Sequence, residues 1–138
     1  MVIVEAKLAA CLFECAKANK LTSVRIKEET MMAGLSCGEP SDMAWEVLSE
    51  EVSDFITIPD KIVPPTVRLL ARPEGNDPVI MAGESAVAGL AVLVCASKQP
   101  GLRDKLGLDK NSRVLLIGTE GVTDAELFAQ IMEGEMYG

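Results

Sequence analysis

Apolar residues along this chain fall into two kinds of run, and the two kinds alternate. Val2-Ile3-Val4, Asp54-Phe55-Ile56-Thr57-Ile58 and Arg113-Val114-Leu115-Leu116-Ile117 are short and continuous, the pattern of strands covered on both faces. The last is the clearest strand of the three. Leu8, Cys11, Leu12, Cys15 and Ala16 instead recur at helical spacing, and Asn19-Lys20 ends that helix. Ser41-Asp42 caps a second predicted helix, with Met43, Ala44, Val47 and Leu48 on its inner face. Pro64-Pro65 marks the first turn of a third, because prolines deeper inside would delete backbone bonds.

Between these elements, Val24-Arg25-Ile26 reads as a minor strand, Met31 to Pro40 as a Gly/Ser/Cys loop, and Pro73 to Pro78 as a turn. A long apolar helix is expected from Glu84 to Ser97, then a short one over Leu102–Leu106 and a final one from Ala125 to Met132, ending at Gly134. Strands alternating with helices predict an α/β fold: three layers, a mostly parallel sheet flanked by helices. The expectation is one domain over residues 1–138. No GxGxxG, GxxxxGK[ST] or GxSxG occurs, and Val4 runs into a helix without a Gly-rich turn, so the ligand loop usual after a first strand is missing. These strands without that loop suggest a later part of a larger domain.

Composition narrows the chemistry. The 138 residues contain no histidine, which excludes Ser-His-Asp and Cys-His systems and every His-ligated metal. No metal site is assigned. A formal charge of −8 without a basic run opposes nucleic-acid binding. Val79 to Ala96 approaches the roughly 18-residue length of a membrane span, but Glu84 lies inside it and Gly and Ala dominate, so a buried helix is expected and no membrane partner. Glu5 and Lys7 interrupt any signal-peptide core, and four cysteines without a CxxC fit reduced thiols in a cytoplasmic protein.

Three stretches stand out: MAGLSCGEP over residues 32–40 with Trp45-Glu46 after it; Gly75-Asn76-Asp77-Pro78 leading to Gly83-Glu84-Ser85; and Thr119-Glu120-Gly121 with Thr123-Asp124, directly after the best strand. In this order, with the opening IVE and ACLFECAKA, they resemble the diaminopropionate ammonia-lyase family of pyridoxal-phosphate enzymes, of the tryptophan-synthase-β fold type (fold-type II). The resemblance covers essentially the whole chain; threonine dehydratases and serine racemases share the layout but not those words. It implies a C-terminal segment of an enzyme that eliminates ammonia from 2,3-diaminopropionate and ends at pyruvate, with pyridoxal 5'-phosphate as the electron sink. The family's Schiff-base lysine and phosphate loop belong upstream. No lysine here sits in a matching motif, so no catalytic residue is assigned and the isolated chain is expected to be inactive.

The resemblance also implies site residues. Glu84 would lie at the edge of the cofactor ring, or else be a carboxylate favoured by a helix dipole. Thr119 would bring a hydroxyl near the pyridine nitrogen, or else be a turn residue. Related members show Ser where this chain has Gly118, so that hydroxyl has either moved by one position or been lost. Gly34 and Leu35 would present backbone beside the ring, or else form a tight turn that needs glycine for positive φ. Ser85 is expected as a capping hydroxyl and Asp124 as the cap of the final helix. Cys11 and Cys37 could join as a disulfide at the pocket mouth, or stay reduced. The partners expected are a small amino-acid substrate and further copies of the chain in a homo-oligomer, such as a dimer. The alternative is a non-catalytic binding or regulatory module derived from such an enzyme.

Overall fold

The fold is that of a computed structural model in which residues 1–134 are described. Contacts gather into two compact units, Met1–Asp60 and Lys61–Gly138, each with its own core. Strands, helices and a parallel sheet make it an α/β protein.

In the first unit, β1 (Val2–Ala6) pairs in parallel with β2 (Asp54–Ile58), Val2 opposite Asp54 and Ala6 opposite Ile58. Burial increases along β1 toward its C-terminal end, where Glu5 and Ala6 are enclosed while Val2 is exposed. The chain then makes one 3-10 turn, Lys7–Ala9, and enters α1 (Cys11–Ala18). Asn19 closes α1 in the left-handed conformation at φ 51°, which an Asn tolerates better than most residues. The core here is Ala6, Ala9, Ala10, Cys11, Cys15, Met32 and Ile58.

Two expectations fail in this unit. Val24–Ile26 forms no strand. Val24 makes a single approach to Gly38, donating its N–H to the Gly38 carbonyl at 2.8 Å, and one bond is not a ladder. A Cβ on Gly38 would stand 2.5 Å from the Val24 carbonyl oxygen, so only glycine admits this approach. Helix α2 (Asp42–Glu51) is capped by Ser41 as expected, its hydroxyl accepting from the Ala44 N–H at 3.4 Å. Its inner face, however, is Trp45 and Leu48, while Met43 and Val47 are 78% and 59% exposed. Trp45 packs on Phe55 of β2 with ring centroids 6.0 Å apart, and at about 100° per residue that contact turns Met43 and Val47 outward.

The second unit is helical. α3 (Val63–Ala71) opens with Pro64-Pro65 in its first turn, where the missing N–H groups cost no helical bond. It packs against α4 (Ala88–Lys98) and α6 (Ala125–Glu133) through Val63, Val67, Ala88, Ala91 and Ile131, all buried. The Arg68 guanidinium reaches the Ile131 carbonyl at 2.8 Å and ties α3 to the end of α6. α5 (Pro100–Lys105) follows α4 directly, and Gly134 ends α6 at φ 82°. No helix among the described residues is long and apolar enough to cross a membrane.

Two further expectations change here. α4 begins at Ala88, and Glu84–Val87 is a turn instead of helix. Arg113–Ile117 is not a strand: among the described residues the sheet holds β1 and β2 alone. A continuous aliphatic run encodes burial on both faces, but a strand needs a neighbour to bond. Without one, Leu115 and Ile117 stand 85% and 80% exposed.

Candidate functional site

The first unit brings one set of expected residues to the C-terminal end of β1. Glu5 reaches over the start of α1, its carboxylate oxygens accepting from the Leu12 N–H at 2.9 Å and the Phe13 N–H at 2.7 Å. Helix α1 has Ala10 at its own cap position and no side-chain cap there. A strand residue therefore supplies the acceptor that a Ser or Asp would otherwise provide. Burial raises the Glu5 carboxyl above its ordinary value, against the pull of those two amides and of the Cys11 thiol. The sequence reading missed this role. An acid inside an apolar stretch, just ahead of a helix with no cap residue, was the available signal.

Cys11 continues the contact. A lone backbone bridge joins Ala10 to Cys37 and brings the Cys37 thiol close enough to act on that of Cys11. Burial first, then Glu5 and Cys37, push the Cys11 thiol up to about 12. All four cysteines are free thiols here. Cys15 turns the other way, against the Thr22 backbone, with Thr22 N–H 3.1 Å from its sulfur. Cys95 is only half-buried, less enclosed than a core position.

Gly34 and Leu35 occupy a single 3-10 turn, Ala33–Leu35. Gly34 is not at positive φ; the glycines that are, among the described residues, are Gly75, Gly107 and Gly134. The turn is held from behind by Asp60, which accepts from the Thr30 hydroxyl at 2.6 Å and the Met31 N–H at 2.8 Å. Fully buried Met32 anchors it by packing.

The second unit brings Glu84 and Thr119 to one junction. Gly83 donates its N–H to the Glu120 carbonyl at 3.1 Å, and the Ser85 N–H donates to the Glu120 carboxylate at 2.7 Å. The two backbones approach so closely that a Cβ on Gly83 would stand 2.4 Å from the Gly121 carbonyl oxygen. Gly118 comes close, though less so, on the other side, where its Cβ would lie 3.3 Å from the Ala86 carbonyl oxygen. Glu84 is buried, at 6% exposure, while Thr119 is exposed. Burial is the main cause that raises the Glu84 carboxyl, a hydrogen bond to backbone opposes it, and the charges of Glu120 and Asp124 add to the rise. Asp124 caps α6 as expected, accepting from the Leu127 N–H at 2.9 Å. Ser85 enters through its backbone and lies ahead of the helix, outside its first turn.

A hydroxyl, a buried carboxyl and tightly folded backbone at one loop junction suit the edge of a small planar ring bearing polar groups. They fit the ring of pyridoxal phosphate. In this chain they supply neither a phosphate cradle nor a lysine in a matching motif.

Comparison with known proteins shows the family. The chain is 37% identical over 134 residues, 95% of its length, to diaminopropionate ammonia-lyase of Escherichia coli (strain K12). It superposes with a TM-score of 0.87 and 36% identity on the Escherichia coli diaminopropionate ammonia lyase crystallised with an aminoacrylate-PLP azomethine reaction intermediate, over 97% of this chain. Maize serine racemase shares the fold alone, with a TM-score of 0.70, 18% identity, 98% of this chain covered and 39% of that one. The chain spans 34% of the length of the Escherichia coli enzyme. Residues 1–120 match the family described as pyridoxal-phosphate dependent enzyme, and the chain belongs to that family.

Proposed function

We propose that this chain forms one wall of a pyridoxal phosphate site in a lyase that eliminates ammonia from 2,3-diaminopropionate to give pyruvate. The observation that carries the reading is the junction of Gly83–Ser85 with Gly118–Gly121, which puts a buried carboxyl and an exposed hydroxyl on adjoining loops. Pyridoxal phosphate, when bound, supplies the electron sink that β-elimination requires. Thr119 offers it a neutral hydroxyl in place of an acid. Glu84 keeps its proton to higher pH than an exposed carboxyl, so it can donate a hydrogen bond where an ionised acid could only accept. In the first unit, Cys11 and Cys37 can close a disulfide that fixes the loop of Gly34 and Leu35 to α1.

The setting that fits is cytoplasmic amino-acid catabolism, with the chain in a homo-oligomer. Val79, Ile80 and Met81, exposed at 64%, 48% and 55%, together with the open run at Val114–Ile117, are apolar surface that an assembly would cover. The test is a transplant. Residues 1–134 replace the corresponding third of the Escherichia coli enzyme, and pyruvate is followed with 2,3-diaminopropionate as substrate. The expected result is pyruvate formation that falls when Glu84→Gln and Thr119→Val are combined. A hybrid that folds and takes up pyridoxal phosphate, yet turns over equally well with both substitutions, would refute the assignment.

A further inference from the structure

Glu84 and Thr119 lie 35 positions apart in sequence and on different loops, and something must hold those loops in one register. Glu120 makes two bonds across the junction. Its main-chain carbonyl accepts from the Gly83 N–H at 3.1 Å, and its carboxylate accepts from the Ser85 N–H at 2.7 Å. The two acceptors thus grip the residues on either side of Glu84. The carboxylate lies so close over Gly83 that a Cβ there would stand 2.6 Å from Oε2 and 2.9 Å from Cδ. Glu120 itself directly follows Thr119, so displacing one displaces the other. The turn it grips closes on itself through the Ala86 N–H donating to the Gly83 carbonyl at 3.2 Å, and α4 begins only at Ala88.

We propose that Glu120 is the positioning residue of the site: it bolts the loop carrying Thr119 to the turn carrying Glu84, so that hydroxyl and carboxyl meet the ring of pyridoxal phosphate as one unit. This rests on the functional reading above and adds a residue that touches neither the ring nor the reacting atoms. The bolt depends on the reach of an acceptor oxygen and does not require its charge. Glutamine keeps the length and one acceptor oxygen, aspartate keeps the charge and loses a methylene of reach, and alanine loses both.

The experiment uses the isotope-labelled hybrid enzyme described above with Glu120→Gln, Glu120→Asp and Glu120→Ala. It reads amide exchange at Gly83 and Ser85, and the resonance shifts of Glu84 and Thr119 on adding 4'-deoxypyridoxine 5'-phosphate, which has no aldehyde and forms no adduct with surface lysines. The expected result is that Glu120→Gln keeps both signals. Glu120→Asp and Glu120→Ala should lose about tenfold in Ser85 amide protection and in apparent affinity, the scale of one lost hydrogen bond to a charged acceptor. Amides of the β1–β2 sheet should not change in any variant, which reports that the fold persists. Should Glu120→Ala not fold, the Gln and Asp pair decides alone. Aspartate behaving as wild type while glutamine fails would overturn the proposal in favour of charge, and equal behaviour of all variants would overturn it outright. A wild-type hybrid whose Glu84 and Thr119 signals do not move with the analogue would sink the functional reading and the proposal together. Wild-type binding that Glu120→Ala leaves unchanged would sink the proposal alone.

Discussion

Replacing Gly83 with alanine should damage the junction, and the geometry says by how much. The added Cβ would stand 2.4 Å from the Gly121 carbonyl oxygen, 2.6 Å from Glu120 Oε2 and 2.9 Å from Glu120 Cδ. A carboxylate at the end of a free side chain could swing aside, but this one is held by the Ser85 N–H at 2.7 Å, and the Gly121 oxygen is main chain and cannot rotate away. The loops must part, stretching the Gly83–Glu120 bond of 3.1 Å as they do. Forcing a group into packed space of this kind costs about 1–3 kcal/mol. Against it stands the gain of about 0.4–1 kcal/mol that alanine brings by restricting the unfolded chain. The expected net loss is about 1–2 kcal/mol.

Gly121 provides the internal control. Nothing lies within 4 Å of a Cβ built there, and its φ is not positive, so Gly121→Ala should gain the unfolded-state term with no clash. The two variants should differ by about 2 kcal/mol, which at an m-value of about 2 kcal/mol/M separates their urea midpoints by roughly 1 M. Far-UV circular dichroism is the suitable probe, since Trp45 lies in the other unit. If Gly83→Ala unfolds at the same urea concentration as Gly121→Ala, the close approach described here is not present in solution.

Four other outcomes are expected. Glu84 has a carboxyl raised above 4.5, so the stability it contributes is complete below that value and is lost as pH rises through the raised one. Glu84→Gln should therefore melt higher than wild type at pH 7 and lose that advantage by pH 4, and a gap independent of pH would contradict the burial and repulsion assigned to it. Glu5→Ala should cost about 2 kcal/mol by stripping two amides at the start of α1, with exchange of Leu12 and Phe13 amides speeding first; unchanged exchange there would show that Glu5 is no cap. Light scattering at micromolar concentration should give a mass above 14.7 kDa, and a clean monomer that binds no apolar dye would count against assembly through Val79–Met81 and Val114–Ile117. Diamide should link Cys11 to Cys37 and leave Cys15 open to alkylation on unfolding, since a backbone bridge already joins Ala10 to Cys37; recovery of four alkylatable thiols after the oxidant would refute the pair.

Much of the fold was readable because its signals are local. Ser41 and Asp124 cap because a short polar side chain can satisfy the first amides of a helix wherever that helix lies. Pro64-Pro65 and Gly134 punctuate for equally local reasons of φ and missing donors. Arg113–Ile117 failed for the opposite reason. Its aliphatic run states what kind of neighbour it wants, and pairing is a property of two segments at once, so no reading of one segment supplies it. The face of α2 failed in the same way: Met43 and Val47 match the helical period as well as Trp45 and Leu48 do, and the Phe55 ring across from Trp45 decides between them.

The candidate site divides along the same line. Words such as Gly83-Glu84-Ser85 and Thr119-Glu120-Gly121 can be picked out of a sequence because each packs glycine and acid into a few residues. That Glu120 should turn its carboxylate to the Ser85 amide is a tertiary fact, encoded jointly by Gly83, which leaves the room, and Glu120, which fills it. Glu5 is the parallel case in the other unit, where a strand residue caps a helix beginning six positions later. Both carboxylates serve backbone amides outside their own element, and neither has a hydrophobic period or a motif spacing to announce it. A buried acid beside an uncapped turn or helix start is therefore worth testing as a backbone clamp before it is assigned any chemistry. At Glu84 the same test has a different result: burial first, then repulsion from Glu120 and Asp124, raises its carboxyl, and that environment, unlike the clamps at Glu5 and Glu120, suits the proton-holding role proposed for it.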